Sequence, residues 1–327
     1  MINKFLDLLK TSKSVAILTH ICPDGDAIGS SMMMWDFLEQ NFPNIKKAIF
    51  TEFDKLSDEF LAMSKNAVIN PGDHQYDLAI AVDCGDLDRF SKYRDVFDNA
   101  THTVCFDHHK GNPNYAEINF NNIMSSNCEN IFNYLYPLNL KLSTDFYKYC
   151  YVGILTDTNN LTTPLVSTNT FEVVSKILGA GVDIRAIYKL FYQGNTKNKY
   201  KLLGKSIAKA EYWFDDKVVF IQITAEELAE CNTSEGDTSV IINQAFALYK
   251  NGYACFVVSP RKGKTHISMR CVDGMDVSHI ARMFGGGGHA CASACDTAQS
   301  VEDAKIILQN EIKKEIDNHA PKESKPF

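Results

Sequence analysis

Residues 13–30 read KSVAILTHICPDGDAIGS, and this stretch decides the fold. Its beginning, residues 13–20, is a short apolar run of the kind found in buried strands, and turn residues follow it at once. A helical pattern then covers residues 26–42, with Asp24 or Asp26 near its N-terminus. A buried strand that turns directly into a helix is the repeating unit of a parallel, helix-covered sheet.

The same alternation continues as far as residue 157. Residues 77–83 and 101–107 predict two more buried strands, and residues 170–178 predict a helix. Residues 147–155 fit a helix or a strand equally well. We therefore predict an α/β fold whose first domain is a parallel sheet with helices on both faces.

Acidic and imidazole side chains stand wherever these apolar runs end. They form four clusters: His20 with Asp24 and Asp26, then Asp83, then Asp107 with His108 and His109, then Asp157. Because the ends of parallel strands converge on one edge of a sheet, we expect the clusters to meet. Mixed carboxylate and imidazole ligands suit Mn²⁺, Mg²⁺, Co²⁺ or Fe²⁺ better than a structural zinc ion.

The charge of these carboxylates predicts two cations. Four unpaired aspartates in one cleft would repel one another and would be driven to take up protons. Two divalent cations cancel the −4 of positions 24, 26, 83 and 157. One carboxylate would bridge them, and a bridging water would become a hydroxide nucleophile. Taken singly, each aspartate would more often be a helix N-cap or a turn residue than a metal ligand, and it is the joint pattern that favours metal binding.

The adjacent histidines are expected to have different roles. Successive side chains at a strand end point to opposite sides, so one of His108 and His109 is expected to bind metal and the other to face substrate. Asp107 could accept a hydrogen bond from an imidazole and so fix its tautomer.

A second α/β unit is predicted after a polar, lysine-rich segment that starts at Gly194. Its strands are expected at 217–224, 254–259 and 265–271, and its helices at 239–249 and 277–284. The predicted domains are a catalytic domain at 1–193, a linker at 194–210 and a smaller substrate-binding domain at 211–327.

A run of four glycines, 285–288, precedes His289 in the second unit. Capping a helix requires only one glycine, so the run is predicted to let an anion approach bare backbone. Arg261, Lys262, Lys264 and Arg270 form a basic patch that could equally be a solvated hairpin.

Composition excludes several classes of protein. The net charge of −7 argues against a general polyanion binder. No apolar segment approaches the roughly 18 residues that span a bilayer, and Asp7 and Lys10 interrupt any signal-peptide core. The ten cysteines include no C-x-x-C pair and are expected to be reduced. We therefore predict a cytoplasmic protein without a membrane partner.

Together these motifs resemble the DHH phosphoesterase superfamily, which is named for the residues seen here as Asp107-His108-His109. Its first motif, H-x-x-x-D-x-D-x-x-G-S, matches residues 20–30, and its second and fourth motifs match Asp83 and Asp157. Gly286–His289, preceded by Ser268-Met-Arg270, resembles the DHHA1 substrate domain. The length and two-domain layout are similar to the NrnA-type enzymes of this superfamily.

The resemblance implies roles for individual residues. It implies two divalent cations, with Mn²⁺ expected and Mg²⁺ or Co²⁺ as alternatives. One would be bound by His20, Asp24 and Asp83, and the other by Asp26, Asp83, His108 and Asp157, so that Asp83 bridges. The catalytic group would be Asp83, Asp107 and His109, with His109 on the scissile phosphate. The substrate's terminal phosphate would be held by Arg270, Gly286, Gly287, Gly288 and His289, in a cleft between the domains.

The implied function is hydrolysis of short oligoribonucleotides to mononucleotides, removal of the 3′-phosphate of 3′-phosphoadenosine 5′-phosphate, or both. The partners would be short RNA or DNA oligonucleotides or nucleotide phosphates, and the chain could act as a homodimer. The alternatives are a cyclic or linear dinucleotide phosphodiesterase, a pyrophosphatase or exopolyphosphatase, and an inactive nucleotide-binding homologue. Asn159 and Cys271 depart from the usual glycine and serine of the motifs and put substrate preference in question.

Overall fold

The computed structural model describes residues 1–52, 58–64, 66–73, 75–193, 196–248 and 252–319. It has two compact units, Met1–Gly194 and Asn195–Phe327. Within the described ranges, no helix combines the length and apolarity needed to cross a membrane.

The first unit is built around one parallel sheet. Its elements are α1 (Ile2–Thr11), β1 (Ser14–Leu18), α2 (Gly25–Asn41), β2 (Lys46–Phe50), α3 (Asp58–Met63), β3 (Leu78–Val82), α4 (Arg94–Asp98), β4 (His102–Asp107), β5 (Ile118–Asn121), α5 (Asn127–Leu135), α6 (Thr144–Asp157), α7 (Thr168–Gly179) and α8 (Ile184–Tyr192), with 3₁₀ turns at Leu87–Tyr93 and Tyr136–Leu138. The strands lie in the order β2-β1-β3-β4-β5, and neighbouring strands run parallel.

Alternate residues of the strands face two different helical layers. Val15 and Ile17 of β1 pack with α1, α2, α5, α6 and α7 in the larger core. Ala16 and Leu18 pack instead with α4 and the turn Leu87–Tyr93. Side chains of a strand alternate between its two faces, so both faces of this sheet are covered. The predicted α/β fold with helices on both faces is confirmed.

The carboxyl ends of β1, β3 and β4 are level with one another. Leu18, at the end of β1, pairs with Ala81 of β3. The next residue of β3 pairs with Phe106, which is one residue from the end of β4. The first three predicted clusters therefore leave the sheet at the same edge, where parallel α/β folds place their sites.

The fourth cluster lies at the end of a helix. Residues 147–155, for which the sequence left helix or strand open, are helical, and Asp157 is the last residue of α6. Residues 149–155, two turns of this helix, are all buried, and a Cβ at Gly153 would lie only 2.2 Å from Cys128 Sγ on α5. A helix that is apolar all round lacks the 3.6-residue period that identifies an amphipathic helix.

The second unit contains a smaller, mixed sheet. Its elements are α9 (Lys197–Ala208), β6 (Glu211–Trp213), β7 (Val218–Gln222), α10 (Ala225–Cys231), α11 (Ser239–Leu248), β8 (Ala254–Arg261), β9 (Lys264–Cys271), α12 (Ser278–Met283), β10 (Gly287–His289), β11 (Ala292–Thr297) and α13 (Val301–Asn318), with a 3₁₀ turn at Glu235–Thr238. The order is β10-β11-β9-β8-β7-β6, with β7 and β8 parallel and the other neighbours antiparallel. Helices α9, α10 and α11 pack in one core, and α12 and α13 in another. This confirms the smaller α/β domain.

The predicted linker at 194–210 is mostly helical in the structure. Helix α9 is capped by Thr196, whose Oγ1 accepts a hydrogen bond from Lys199 N at 3.3 Å. Leu202 is fully buried among residues of the second unit. The polar composition suggested a linker because α9 buries only a narrow stripe of residues and leaves its lysines exposed or half-buried. Residues from 195 onward group with the second unit rather than connect it to the first.

Candidate metal centre and active site

Asp83 stands between two histidines at the edge of the parallel sheet. Its Oδ2 lies 3.5 Å from His20 Nε2, and its Oδ1 lies 3.4 Å from His108 Nε2. The residue is 2% exposed, and no hydrogen bond from any described residue reaches its Oδ1. One carboxylate therefore offers one oxygen to each histidine.

Two sets of donor atoms surround these two oxygens. His20 Nε2 lies 3.9 Å from Asp24 Oδ1. On the other side, His108 Nε2 lies 3.7 Å from Asp26 Oδ2 and 3.6 Å from Asp157 Oδ2. Donor atoms lie within 4.8 Å of one another in each of the sets His20, Asp24, Asp83 and Asp26, His108, Asp157, and the same holds for Asp83, His108 and His109. The structure thus brings together all six side chains that the sequence predicted as metal ligands.

Both histidines turn the same ring nitrogen towards the carboxylates. His108 Nδ1 lies 3.1 Å from the Met124 carbonyl oxygen, and His20 Nδ1 lies 2.7 Å from that of Ile21. A carbonyl oxygen only accepts, so His108 Nδ1 donates its hydrogen to Met124, and in the neutral ring His108 Nε2 carries the lone pair. A lone pair facing a carboxylate oxygen is repulsive unless a proton or a metal cation lies between them. Two donors that share a divalent cation, each about 2.1 Å from it, lie about 3.0–3.4 Å apart. The distances here, 3.4 to 3.9 Å, are at or a few tenths of an ångström above that range, so a small inward movement of these side chains would let them share such ions.

The two carboxylates of the set Asp26, His108 and Asp157 are costly to ionise in the absence of metal. Burial first, and then the charge of Asp83, raise the pKa of Asp26 to about 7. Burial and the charge of Asp26 likewise raise the pKa of Asp157 well above its ordinary value. Burial opposes ionisation of Asp83 also, but the imidazoles of His108 and His20 outweigh it and hold the pKa of Asp83 well below its usual range. Four acids gathered here favour the uptake of positive charge.

Asp26 is held by backbone amides at the start of α5. Its Oδ2 accepts from Asn127 N at 2.5 Å, and its Oδ1 accepts from Cys128 N at 2.9 Å. The first amides of a helix favour an anion there. Gly153 leaves the necessary room, because a Cβ at that position would lie 2.4 Å from Asp26 Oδ1. The sequence gives no sign of these contacts, since backbone donors leave no side-chain pattern.

Asp107 separates the roles of the two adjacent histidines. Both rings approach Asp83, His109 Nδ1 to 3.7 Å, so the prediction that they point opposite ways is wrong. They follow the end of β4 and are not bound by strand alternation. His109 Nδ1 donates to Asp107 Oδ1 at 2.7 Å, as the sequence suggested for Asp107, and this engages the nitrogen nearest Asp83.

Asp24 and Arg89 both lie beside His20. Asp24 is the N-cap of α2, and its Oδ1 accepts from the amides of Asp26 and Ala27 at 3.0 and 3.1 Å. Asp24 therefore caps α2, as is typical of a single aspartate at a helix start, and it also lies close to His20. Arg89, which the sequence analysis did not select, places a guanidinium nitrogen 3.2 Å from His20 Nδ1.

Arg270 lies on β9 of the second unit. Its Nε donates to Asn243 Oδ1 at 3.0 Å, and a terminal nitrogen donates to the Met269 carbonyl at 2.9 Å. Burial lowers the pKa of Arg270. No carboxylate among the described residues pairs with it. A half-buried guanidinium that meets only neutral partners can bind an anionic group.

The glycine run is part of a strand rather than a bare loop. Gly287–His289 forms β10, which pairs with β11. A Cβ at Gly286 would lie 2.2 Å from the Ala294 carbonyl oxygen, and one at Gly288 would lie 2.5 Å from that of Ala292. Strand packing therefore accounts for these two glycines. Gly287 has nothing described within 4 Å of its Cβ position, and the His289 side chain lies outside the described part of the structure.

Comparison with known proteins agrees with this arrangement. Residues 14–154 match the model of the DHH family, N-terminal domain, and residues 215–317 match that of the DHHA1 domain. The probable bifunctional oligoribonuclease and PAP phosphatase NrnA of Streptococcus mutans is 24% identical over 310 residues, which cover 93% of this chain and 97% of that protein. The bifunctional oligoribonuclease and PAP phosphatase NrnA of Mycoplasma genitalium is 24% identical over 324 residues, covering 94% and 95%.

Solved structures share the fold. An exopolyphosphatase-related protein from Bacteroides fragilis superposes with a TM-score of 0.87 at 22% identity, over 96% of this chain and 95% of that one. RecJ from Thermus thermophilus, in complex with Mn²⁺, gives a TM-score of 0.55 at 12% identity, over 96% of this chain and 54% of that one. With its two domain matches and its site at the sheet edge, the chain is a member of the DHH family of phosphoesterases and carries a DHHA1 domain.

Proposed function

We propose that this chain is a Mn²⁺-dependent phosphohydrolase that cleaves short oligoribonucleotides to mononucleotides and removes the 3′-phosphate of 3′-phosphoadenosine 5′-phosphate. The observation that carries the proposal is the division of Asp83 between His20 and His108, at 3.5 and 3.4 Å. A shared carboxylate between two donor sets is what a two-cation phosphoester site requires. The two NrnA relatives, matched over almost their whole length, support the choice of substrate class.

The proposed ligands divide between two cations. One would be held by His20, Asp24 and Asp83, and the other by Asp26, Asp83, His108 and Asp157. When bound, the cations would supply a metal-activated water and positive charge for the phosphate. Mg²⁺ or Co²⁺ would suit the same hard and borderline ligands.

His109 is the proposed contact to the scissile phosphate. Its Nδ1 donates to Asp107 at 2.7 Å, so Nε2 is the ring atom that would meet a phosphate oxygen. The Asp107 carboxylate fixes the orientation of the ring, so that Nε2 is presented to the charge that develops on the phosphate. Asn112 Nδ2 donates to the other oxygen of Asp107 at 2.6 Å and holds that carboxylate in place.

Asp107→Asn should lower kcat about 10- to 100-fold, because a neutral amide holds the His109 ring in place less firmly than the carboxylate does. The Mn²⁺ affinity and KM should change little, since none of the proposed ligands is altered. Steady-state kinetics and Mn²⁺ titration would measure both. Glu117→Gln is the matched control, because Glu117 also accepts from a histidine, His102 Nδ1 at 2.7 Å, but lies outside the site. Equal kcat values in the two variants would contradict the role of His109.

Arg270 and the strand that contains Gly287 are the proposed contacts to a terminal substrate phosphate. The guanidinium provides charge and a fork of N–H groups for phosphate oxygens. Gly287 provides backbone that a ligand can approach, since nothing described lies near its Cβ position. Gly286, Gly288 and His289 remain predicted contacts from the family resemblance.

Gly287→Ala should raise KM roughly tenfold, about 1.4 kcal/mol of lost binding, without lowering the melting temperature. Gly288→Ala should behave differently and destabilise the second unit by about 1–3 kcal/mol, because its Cβ would meet a carbonyl oxygen and its φ is +141°. Kinetics and thermal unfolding separate the two effects. Gly204→Ala, which also meets nothing described within 4 Å, is the control. An unchanged KM in Gly287→Ala would remove this strand from the substrate site.

A substrate panel with Mn²⁺ tests the function itself. The panel comprises a 5′-labelled RNA dinucleotide, 3′-phosphoadenosine 5′-phosphate, a cyclic dinucleotide, pyrophosphate and polyphosphate. The proposal expects the first two to be turned over fastest. Faster turnover of a cyclic dinucleotide, pyrophosphate or polyphosphate would replace it with that activity. Mn²⁺ binding without turnover of any substrate would identify a nucleotide-binding homologue.

A further inference from the structure

The segment 122–128, here called the 122–128 turn, comprises the connection after β5 and the first two residues of α5, and it contacts two of the proposed metal ligands. Its Met124 carbonyl oxygen accepts from His108 Nδ1 at 3.1 Å. Its last two amides, Asn127 N and Cys128 N, donate to Asp26 at 2.5 and 2.9 Å. A shift of this turn would therefore move an imidazole and a carboxylate of the same donor set together.

Glu129 holds this turn in place through a side-chain hydrogen bond. The residue is 1% exposed and follows the turn in the first helical turn of α5. Its carboxylate accepts a short hydrogen bond from Ser125 Oγ, inside the turn. It also accepts from Thr170 Oγ1 at 3.0 Å and from Asn169 Nδ2 at 2.5 Å, both at the start of α7. One buried carboxylate thus ties the 122–128 turn to a second helix.

A carboxylate in this place is energetically demanding. No cationic side chain among the described residues pairs with Glu129, and the three groups that donate to it are neutral hydroxyl and amide groups. An ionised group removed from water needs strong hydrogen bonds to offset its desolvation. Three donors and the N-terminal end of α5 supply part of that compensation. An apolar residue would fill the same volume without this demand, so packing alone does not explain Glu129.

We propose that Glu129 is a positioning residue for the donor set Asp26, His108 and Asp157. It acts through Ser125, which fixes the turn, and the turn orients His108 and Asp26. This inference rests on the proposed function, because it assumes that the set binds a divalent cation. Groups that orient metal ligands commonly alter metal affinity 10- to 100-fold when they are changed.

The proposal predicts a selective effect. The 122–128 turn contacts His108 and Asp26, whereas His20 is oriented by the Ile21 carbonyl, and Asp24 by the amides of α2. Loosening the turn should therefore weaken one of two bound cations and leave the other nearly unchanged. General destabilisation of the unit would weaken both.

Ser125→Ala and Glu129→Gln test the proposal together. Ser125→Ala removes the hydroxyl that joins Glu129 to the turn, and Glu129→Gln keeps the shape with one acceptor oxygen instead of two. Mn²⁺ titration by calorimetry should show one equivalent bound about tenfold more weakly in each variant, and the other within twofold of wild type. At one to two equivalents, the electron paramagnetic resonance spectrum should lose exchange coupling and show isolated Mn²⁺.

Asp36→Asn is the matched control. Asp36 is also a buried carboxylate in this unit, and it accepts from Ser143 Oγ at 2.8 Å at the far end of α6 from Asp157. This variant should keep both Mn²⁺ affinities within twofold, even if its melting temperature falls. The proposal is overturned if Ser125→Ala and Glu129→Gln keep both affinities, or lose both equally. Failure of the proposed function would look different, because the wild-type protein itself would then not bind two equivalents.

Discussion

Asp83→Asn is expected to lower kcat/KM by about 10³-fold or more, even at saturating Mn²⁺. Its two oxygens face different histidines, at 3.5 and 3.4 Å, so the substitution weakens both donor sets at once. The loss corresponds to several kcal/mol of transition-state stabilisation. Asparagine is the suitable replacement because Asp83 has φ 54°, a left-handed backbone conformation that asparagine tolerates better than alanine does.

The control for this variant is Asp86→Asn in the same segment. Asp86 is exposed, and its Oδ1 accepts from the amide of Asp88 at 2.9 Å, so the change removes a charge without touching the donor sets. Hydrolysis of a labelled RNA dinucleotide and Mn²⁺ titration should be measured for both. Asp86→Asn should remain within twofold of wild type. Asp83→Asn with more than a tenth of wild-type activity would remove Asp83 from the centre of the mechanism.

The sequence predicted the sheet and the ligands because both depend on side chains at regular spacing. Residues 13–20, 77–83 and 101–107 are apolar runs that end in polar residues, which is how buried parallel strands look in sequence. Since strand ends share one edge, the clusters after them had to be neighbours. The structure adds that His108 and Asp157 approach to 3.6 Å although the latter comes from a helix.

What the sequence could not predict depends on backbone atoms and on complete burial. Helix α6 lacks a clear amphipathic period because its residues 149–155 are buried on all sides, so the sequence did not distinguish a helix from a strand there. The amides that hold Asp26, and the Met124 carbonyl that orients His108, carry no residue-specific pattern. The glycine run suggested an exposed loop, yet at Gly286 and Gly288 the absence of a side chain is required by the neighbouring strand.

The metal-free site should make the protein less stable as pH rises. Burial and the charge of Asp83 raise the pKa of Asp26 in the folded protein to about 7 from an ordinary 3.8. Between these two pH values the folded state therefore holds a proton on Asp26 that the unfolded state has released. This contribution to the stability of the protein is fully present only below about pH 4. It is lost as pH rises through about 7. The pKa of Asp157 is raised as well, so it acts in the same direction.

Asp157→Asn should therefore stabilise the protein without metal and destabilise it, relative to wild type, with metal. Asp157 is an acid at the C-terminus of α6, where the helix dipole disfavours negative charge, and Asp26 and Asp83 add repulsion. In EDTA at pH 8 the variant should gain about 1–2 kcal/mol, a rise of about 2–8 °C in melting temperature. The gain should shrink towards pH 4, where the acids are protonated in the folded protein.

With saturating Mn²⁺ the order of stability should reverse. A ligand at about 1,000 times its dissociation constant stabilises the folded state by about 4 kcal/mol, and a variant that has lost one proposed ligand gains less. Asp145→Asn is the control on the same helix, because Asp145 lies in the first turn of α6, where its charge favours the dipole. That variant should melt slightly below wild type in both conditions. If thermal unfolding of Asp157→Asn gave no crossover between EDTA and Mn²⁺, the residue would be structural rather than part of a cation site.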